Sequence, residues 1–241
     1  DCHVIPSGDD LHHFRPIPSD QARERLGLPL RKQLVLFAAS PHKPEKRYAL
    51  ARDAVSLLGK ATNAKLIVAC GLPRELMPYY MNACDALLLT SSHEGSPNVV
   101  KEALACNLPV VSVDVGDVRE RLASVEGCII CKDDKPASIA VALAQVLESD
   151  RRIDGTRAIC SLDEELVARR LISVYEKAVA PRRNSTEPAL DTTFAAGPSR
   201  DEYSGRRGEP RVSQATKKTP FVTVLMPIWN DVVTVAPVLN S

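Results

Sequence analysis

The apolar positions of the chain fall into short continuous runs: Val4 to Ile5, Leu34 to Ala38, Lys65 to Ala69, Ala86 to Leu89, Val110 to Val113 and Gly127 to Cys131. Runs of this kind, without polar alternation, predict strands covered on both faces, as in a parallel sheet. Between them apolar residues return at the spacing of one helix face. Leu50, Ala54, Leu57 and Leu58 do so, as do Leu76, Tyr79, Tyr80, Met81 and Ala83, and then Val99, Val100, Ala103 and Leu104. Ser19-Asp20 predicts a capped helix through Leu26, stopped by Gly27 and Pro29. Further helices are predicted over Pro136 to Leu147 and Leu162 to Ala180. Alternating strands and helices predict one α/β domain over residues 1–180, a Rossmann-like parallel sheet with helices on both faces.

Past Pro181 the pattern stops. Residues 181–219 are rich in Arg, Pro, Ser, Thr and Gly and keep no period, which predicts a disordered linker. Order resumes with the β run from Pro220 to Asp231, closed by Pro227-Ile228-Trp229-Asn230 and followed by the opening of a helix. One strand cannot build a sheet, so residues 220–241 read as the truncated start of a further domain.

A chain of 241 residues that is 44% hydrophobic supplies a real core. Its formal net charge of +1 offers no field for nucleic acid. No run approaches the roughly 18 apolar residues of a membrane span and no secretion signal opens the chain. The expected setting is cytoplasmic, including a peripheral position at the inner face of the cell membrane. Seven cysteines sit mostly in apolar segments. Cys128-x-x-Cys131 lacks a second ligand pair and runs through a strand, so buried thiols are expected rather than zinc or redox chemistry.

The candidate chemistry lies between the runs at Ala86 and Val110, in Ser91-Ser92-His93-Glu94-Gly95-Ser96-Pro97-Asn98-Val99-Val100-Lys101-Glu102. Pro97 suits a first helical turn, where its missing N–H has no partner to lose. Asn107 is the expected helix stop. Glu94 then lies in the loop after a strand and Glu102 about a turn into the helix. Both are near the free amides of the helix start, where an open α/β sheet binds anionic ligands. Phosphate alone would be repelled by two carboxylates. An anion flanked by hydroxyl-rich groups fits better, because a carboxylate accepts two hydroxyl hydrogen bonds. A nucleotide sugar has that pattern: ribose, diphosphate, hexose.

The stretch from Glu94 through Glu120 resembles the nucleotide-sugar (C-terminal) domain of retaining GT-B glycosyltransferases, family 4 or glycosyl transferases group 1, which build bacterial cell-surface glycans. The resemblance implies that Glu94 lies by the donor sugar and Glu102 binds the ribose. Amides from Gly95 through Ser96, Pro97 and Asn98 to Val99 would hold the diphosphate, with no amide from Pro97 itself. Lys46 matches the family's diphosphate lysine. The arginine that usually precedes it is replaced at Ala39 or Ser40, with Lys43 or Arg47 as stand-ins. Glu94 and Lys46 are thus the candidate catalytic residues. Val4-Ile5-Pro6-Ser7-Gly8-Asp9-Asp10 is similar to the family's interdomain linker, Asp9 replacing its usual Val, and implies a backbone–ligand approach at Gly8. Gly116 and Glu120 match a family loop beside the donor sugar.

The run from Pro220 looks like the first strand of an inverting family 2, GT-A glycosyltransferase. The resemblance as a whole implies an internal piece of a longer protein with two transferase modules. An acceptor domain would precede Asp1 and the GT-A-like module would follow. The implied activity is transfer of a sugar from a nucleotide-diphosphate donor to a cell-surface glycan or lipid-linked acceptor, with retention. No permanently bound cofactor and no metal are expected, amides taking the place of Mg²⁺. The alternatives are a sugar-nucleotide 2-epimerase of GT-B fold and a donor-binding module inactive on its own. A dinucleotide oxidoreductase would want Gly-x-Gly-x-x-Gly after the first strand, which is lacking.

Overall fold

The computed structural model describes residues 3–179, 225–228 and 231–234. The chain divides into two compact units, Asp1–Val174 and Tyr175–Ser241. In chain order its first elements are α1 (Ser19–Leu26), β1 (Leu34–Phe37), α2 (Tyr48–Leu57), α3 (Gly59–Thr62), β2 (Lys65–Val68), α4 (Met77–Ala83) and β3 (Ala86–Leu89). These are followed by α5 (Asn98–Ala105), β4 (Val110–Ser112), α6 (Val118–Leu122), β5 (Ile129–Ile130), α7 (Pro136–Ser149), α8 (Gly155–Ile159) and α9 (Glu164–Val179). Single 3-10 turns occupy Pro44–Lys46, Arg74–Leu76 and Cys160–Leu162.

The five strands are all parallel, in the order β2-β1-β3-β4-β5. Helices α1, α4, α5 and α8 pack as one group and α2 with α7 as another, both against the sheet. Every residue of β1, β3 and β4 is buried, which is why these strands read as unbroken apolar runs. The edge strand β2 has an exposed start and end. Each fully buried leucine, such as Leu34, Leu36, Leu87 and Leu88, contributes about 1.5–3 kcal/mol of transfer free energy.

Several expectations are corrected. Val4 to Ile5 is not a strand: two apolar residues followed by Pro6, which has no N–H, offer no ladder. Among the described residues that segment makes one isolated bridge, Asp9 to Asp163. Ser19 does not cap α1, since Pro18 occupies the position before the helix and no side chain bonds there. The stop at Gly27 is as expected: φ is 63°, Gly27 N–H donates to Glu24 O and Leu28 N–H to Arg23 O. In α2 the buried face is Ala51, Ala54 and Val55, and Leu57 points outward. The loop expected around Asp114 to Glu120 contains α6, and α8 was not foreseen. Cys84, Cys106 and Cys131 are buried, but Cys70 and Cys160 are exposed. Burial pushes the Cys106 thiol up to about 12 and those of Cys128 and Cys131 to about 11, so all three stay protonated at neutral pH. Among the described residues no group of three or more His, Cys, Asp or Glu is placed to hold a metal. None of their helices is long and apolar enough to cross a membrane.

In the second unit β6 (Leu225–Ile228) and β7 (Asp231–Thr234) pair antiparallel, Leu225 opposite Thr234 and Ile228 opposite Asp231. The helix expected to open after this first strand is therefore a second strand, in keeping with the β-branched Val232-Val233-Thr234. The linker expected over 181–219 lies outside the described residues.

The amino ends of the strands are closed by a polar network around Arg23, which is 6% exposed. Its guanidinium donates to the carbonyls of Ala83, Leu30 and Lys32 and to both oxygens of Asp85, each at 2.9 Å. Asp85 also accepts the N–H of Leu34 at 2.6 Å, tying the start of β1 to the start of β3. A cavity of about 250 Å³ bordered by Arg23, Asp85 and Arg152 lies here, far from the carboxyl ends of the strands. Arg23 and Asp85 are bonded to each other, and Arg152 to the carbonyls of Met81 and Asn82, so it is a packing seam rather than the functional crevice.

Candidate functional site

The strand order reverses at β1, with β2 on one side and β3 on the other, so the crevice of the sheet opens above the carboxyl ends of β1 and β3. The loops leaving these two strands are laced together. Ser92 N–H donates to Glu45 O at 2.8 Å, and Thr90 Oγ1 donates to Lys46 O at 2.8 Å. Arg47, in the left-handed region at φ 50°, donates to Thr90 O and Ser91 O and pairs with Asp134 at 2.6 Å. Its guanidinium is therefore a structural tie, and it does not serve as the stand-in for the replaced arginine.

This lacing brings Lys46 and Glu94 together. Lys46 Nζ donates to Glu94 Oε1 at 2.5 Å, the side chains being 23% and 14% exposed. Two residues from different loops form one partly buried cation–carboxylate pair at the switch point. Beyond Glu94 the chain passes through Gly95 and Ser96 into α5. Pro97 stands just before the helix, at φ −67° and ψ 117°, instead of inside its first turn, and Asn98 is the first helical residue. The N–H groups of Asn98 and Val99 thus belong to the helix end that has no intrahelical acceptors. A Cβ built on Gly95 would meet nothing within 4 Å, so the backbone is open to approach there. Ser96 Oγ is buried with no hydrogen-bond partner among the described residues.

Gly116 supports this loop from the end of β4. It sits at φ 55°, and an added Cβ would lie 2.3 Å from the carbonyl oxygen of Gly95 and 2.9 Å from that of Glu94. Asp117 N–H donates to Gly95 O at 3.0 Å. The turn matched to the family's donor-sugar loop is thus packed directly on the Glu94-Gly95 peptide. Gly116→Ala is expected to cost about 1–3 kcal/mol from its backbone conformation alone. Displacement of Gly95 adds to that cost, and urea denaturation measures the sum. An unchanged midpoint would mean that the turn relaxes freely and does not set the loop.

Glu102 lies near the middle of α5, facing the chain segment that leads into the domain. Burial raises its pKa to about 7, Asp9 adds to the rise, and Arg74 and Lys101 partly offset it. Lys101, next to Glu102, is a residue that sequence reasoning missed. It is 1% exposed, and its ammonium donates to Ser7 O at 3.0 Å, Ser7 Oγ at 2.7 Å and Asn98 Oδ1 at 3.1 Å. The only hint in the sequence was a lysine inside an otherwise apolar helix face. Gly8 does make a close approach, but to protein: an added Cβ would lie 2.7 Å from Glu164 Cα and 3.1 Å from Leu162 O. A ligand contact is not what its missing side chain serves. At the far end of α5, Asn107 takes φ 54° as the expected stop, and its Oδ1 accepts from the N–H groups of Gly155 and Thr156.

Residues 33–149 match the family described as Glycosyl transferases group 1, so this stretch is a glycosyl transferase group 1 domain. Among curated proteins the chain is 30% identical over 225 residues to the D-inositol 3-phosphate glycosyltransferase of Xylanimonas cellulosilytica, a match covering 75% of this chain and 52% of the relative. The chain spans about half the length of the curated relatives it matches first. Its fold is that of HepE from Anabaena, solved with UDP and glucose, at TM-score 0.57 and 18% identity over 72% of this chain and 56% of that one. The C-terminal domain of a glycosyl transferase group 1 family protein (LpcC) from Francisella tularensis aligns at TM-score 0.52 and 16% identity, over 68% of this chain and 98% of that domain. The parallel five-stranded sheet is the α/β fold of these GT-B glycosyltransferases.

Proposed function

We propose that this chain is the donor-binding half of a transferase that moves a sugar from a nucleotide diphosphate to a glycan or lipid-linked acceptor, with retention at the anomeric carbon. The observation that carries it is the Lys46–Glu94 pair at the switch point, with the open Gly95 backbone and the free amides of Asn98 and Val99 beside it. Phosphate oxygens would take the amides and exchange with Glu94 for the ammonium. Glu94 would then turn to the sugar hydroxyls. Charge developing on the departing diphosphate meets fixed amide dipoles and Lys46 in a partly dehydrated place, where such groups act most strongly. The HepE structure with UDP supports a nucleotide ligand for this fold, and the Xylanimonas relative supports a hydroxyl acceptor. The acceptor itself would come from an opposing wall that this chain lacks, because holding both reactants supplies much of the rate. Alone, the chain is expected to bind donor without transferring sugar.

Calorimetry at about pH 8, where Glu102 is mostly ionised, tests the assignment with a panel of nucleoside diphosphates. Glu102→Ala is expected to weaken the ligand that binds best by about 5- to 150-fold, the loss of roughly 1–3 kcal/mol from charged hydrogen bonds to ribose. Unchanged affinity would remove Glu102 from the site, and radiolabel passing from a nucleotide sugar to a lipid extract with this chain alone would overturn the missing wall.

A further inference from the structure

Residues Ser7 to Asp9 form a strap that crosses the domain beside α5 and is fixed at three points. Lys101 Nζ grips both the carbonyl and the hydroxyl of Ser7. Gly8 lies flush on the backbone of Leu162 to Glu164. Asp9 N–H donates to Leu162 O at 2.9 Å and Glu164 N–H donates to Asp9 O at 3.0 Å. The Asp9 side chain consequently has no freedom to turn toward solvent: the residue is 7% exposed, and Oδ2 is buried with no hydrogen-bond partner. Its other oxygen accepts the N–H of Asp10 at 2.9 Å. A carboxylate oxygen in that condition carries a large desolvation cost unless the acid is neutral or its charge is shared.

The neighbour that shares it is Glu102. Around Glu102 stand Asp9 from the strap, Arg74 from the 3-10 turn before α4, and Lys101 from its own helix. Around Asp9 stand Lys101, Arg74 and Asp10. Burial raises both acids, and each is nearer to neutral than an exposed carboxyl would be. The buried ammonium of Lys101 offsets only part of this, since its own charge is disfavoured by burial and by Arg121.

We propose that Asp9 is a positioning residue for Glu102: held on the strap that Lys101 clamps, its carboxyl controls the protonation of the ribose-binding glutamate and so ties donor affinity to pH. This rests on Glu102 as the ribose carboxylate. An ionised Glu102 accepts two ribose hydroxyls, whereas a protonated one has lost that capacity in part. Affinity is therefore present above the pKa of Glu102 and lost as pH falls through it. An asparagine at position 9 keeps the shape and the Asp10 contact but removes the second acid, so the pKa of Glu102 falls and the loss moves to lower pH.

Two measurements on the 241-residue chain, wild type and Asp9→Asn, test the proposal. The first is a ¹³C NMR titration of glutamate-labelled, ligand-free protein, with the Glu102 signal assigned by its absence in Glu102→Gln. A midpoint near 7 is expected in wild type and a clearly lower one in Asp9→Asn. The second is calorimetry with UDP-glucose and GDP-mannose, whose diphosphate diesters do not themselves titrate in this range. From about pH 8 to pH 6 wild-type affinity is expected to fall about tenfold, and that of Asp9→Asn no more than about twofold. The same Glu102 midpoint in both proteins, or affinity that rises as pH falls, overturns the role of Asp9. A lowered midpoint in a protein that binds neither nucleotide sugar upholds the coupling and brings down the donor reading instead.

Discussion

Glu94→Gln is expected to lower turnover of the full-length protein about 100-fold, the usual loss when one group directed at the transition state is removed. Nucleoside diphosphate affinity should stay the same or tighten. Glutamine keeps the size of the side chain and one acceptor, but it no longer holds the Lys46 ammonium as a counter-ion. Lys46 is then freer to meet phosphate, and the contacts that vanish are those beyond the diphosphate. Steady-state kinetics with the intact donor, set beside calorimetry with the nucleoside diphosphate, separates the two effects. Equal losses with both ligands would place Glu94 against the wrong part of the donor.

Asp85→Ala is expected to remove about 3–5 kcal/mol of stability, the range for leaving one member of a buried ion pair uncompensated. Arg23 would keep its carbonyl acceptors but lose both carboxylate oxygens, and the N–H of Leu34 would lose its acceptor at the head of β1. Against the roughly 5–15 kcal/mol that a domain has in total, this is close to unfolding. Asp85→Asn, which can still accept from Leu34, should lose less. Guanidinium denaturation of the three proteins measures the order, and a loss below about 1 kcal/mol for alanine would show that water replaces the carboxylate without penalty.

The central strands were legible because their burial is written locally: Leu34 to Phe37 and Ala86 to Leu89 have no polar residue to place outward. The Glu94 loop was legible for a related reason, since strand, loop and helix start follow one another along the chain. What stayed hidden depends on contacts between distant segments. A lysine at position 101 reads as a solvated charge until Ser7 arrives beside it. Arg47 reads as a phosphate ligand until the carbonyls of Thr90 and Ser91 claim it. Gly8 announces a close approach but not to what, and the answer lies in Leu162 to Glu164. Asp9 was visible only as an unexpected acid in a position where the related linkers carry valine. Its meaning depends on Glu102, which local pattern cannot connect to it. The short α6 and α8 escaped because a turn or so of helix leaves too few positions for a period to show.

The strap has a consequence for how the domain is made. Ribosomes deliver the chain from its amino end, yet Ser7 to Asp9 can be seated only against Leu162 and Glu164, which are synthesised after every strand of the sheet. The earliest part of the domain is therefore the last to settle. Until then the ammonium of Lys101 lacks its two Ser7 acceptors, and α5 cannot bury it fully. A nascent chain stalled before Leu162 should have its sheet formed and its amino-terminal segment loose. The donor crevice would be completed only once the start of α9 has left the exit tunnel.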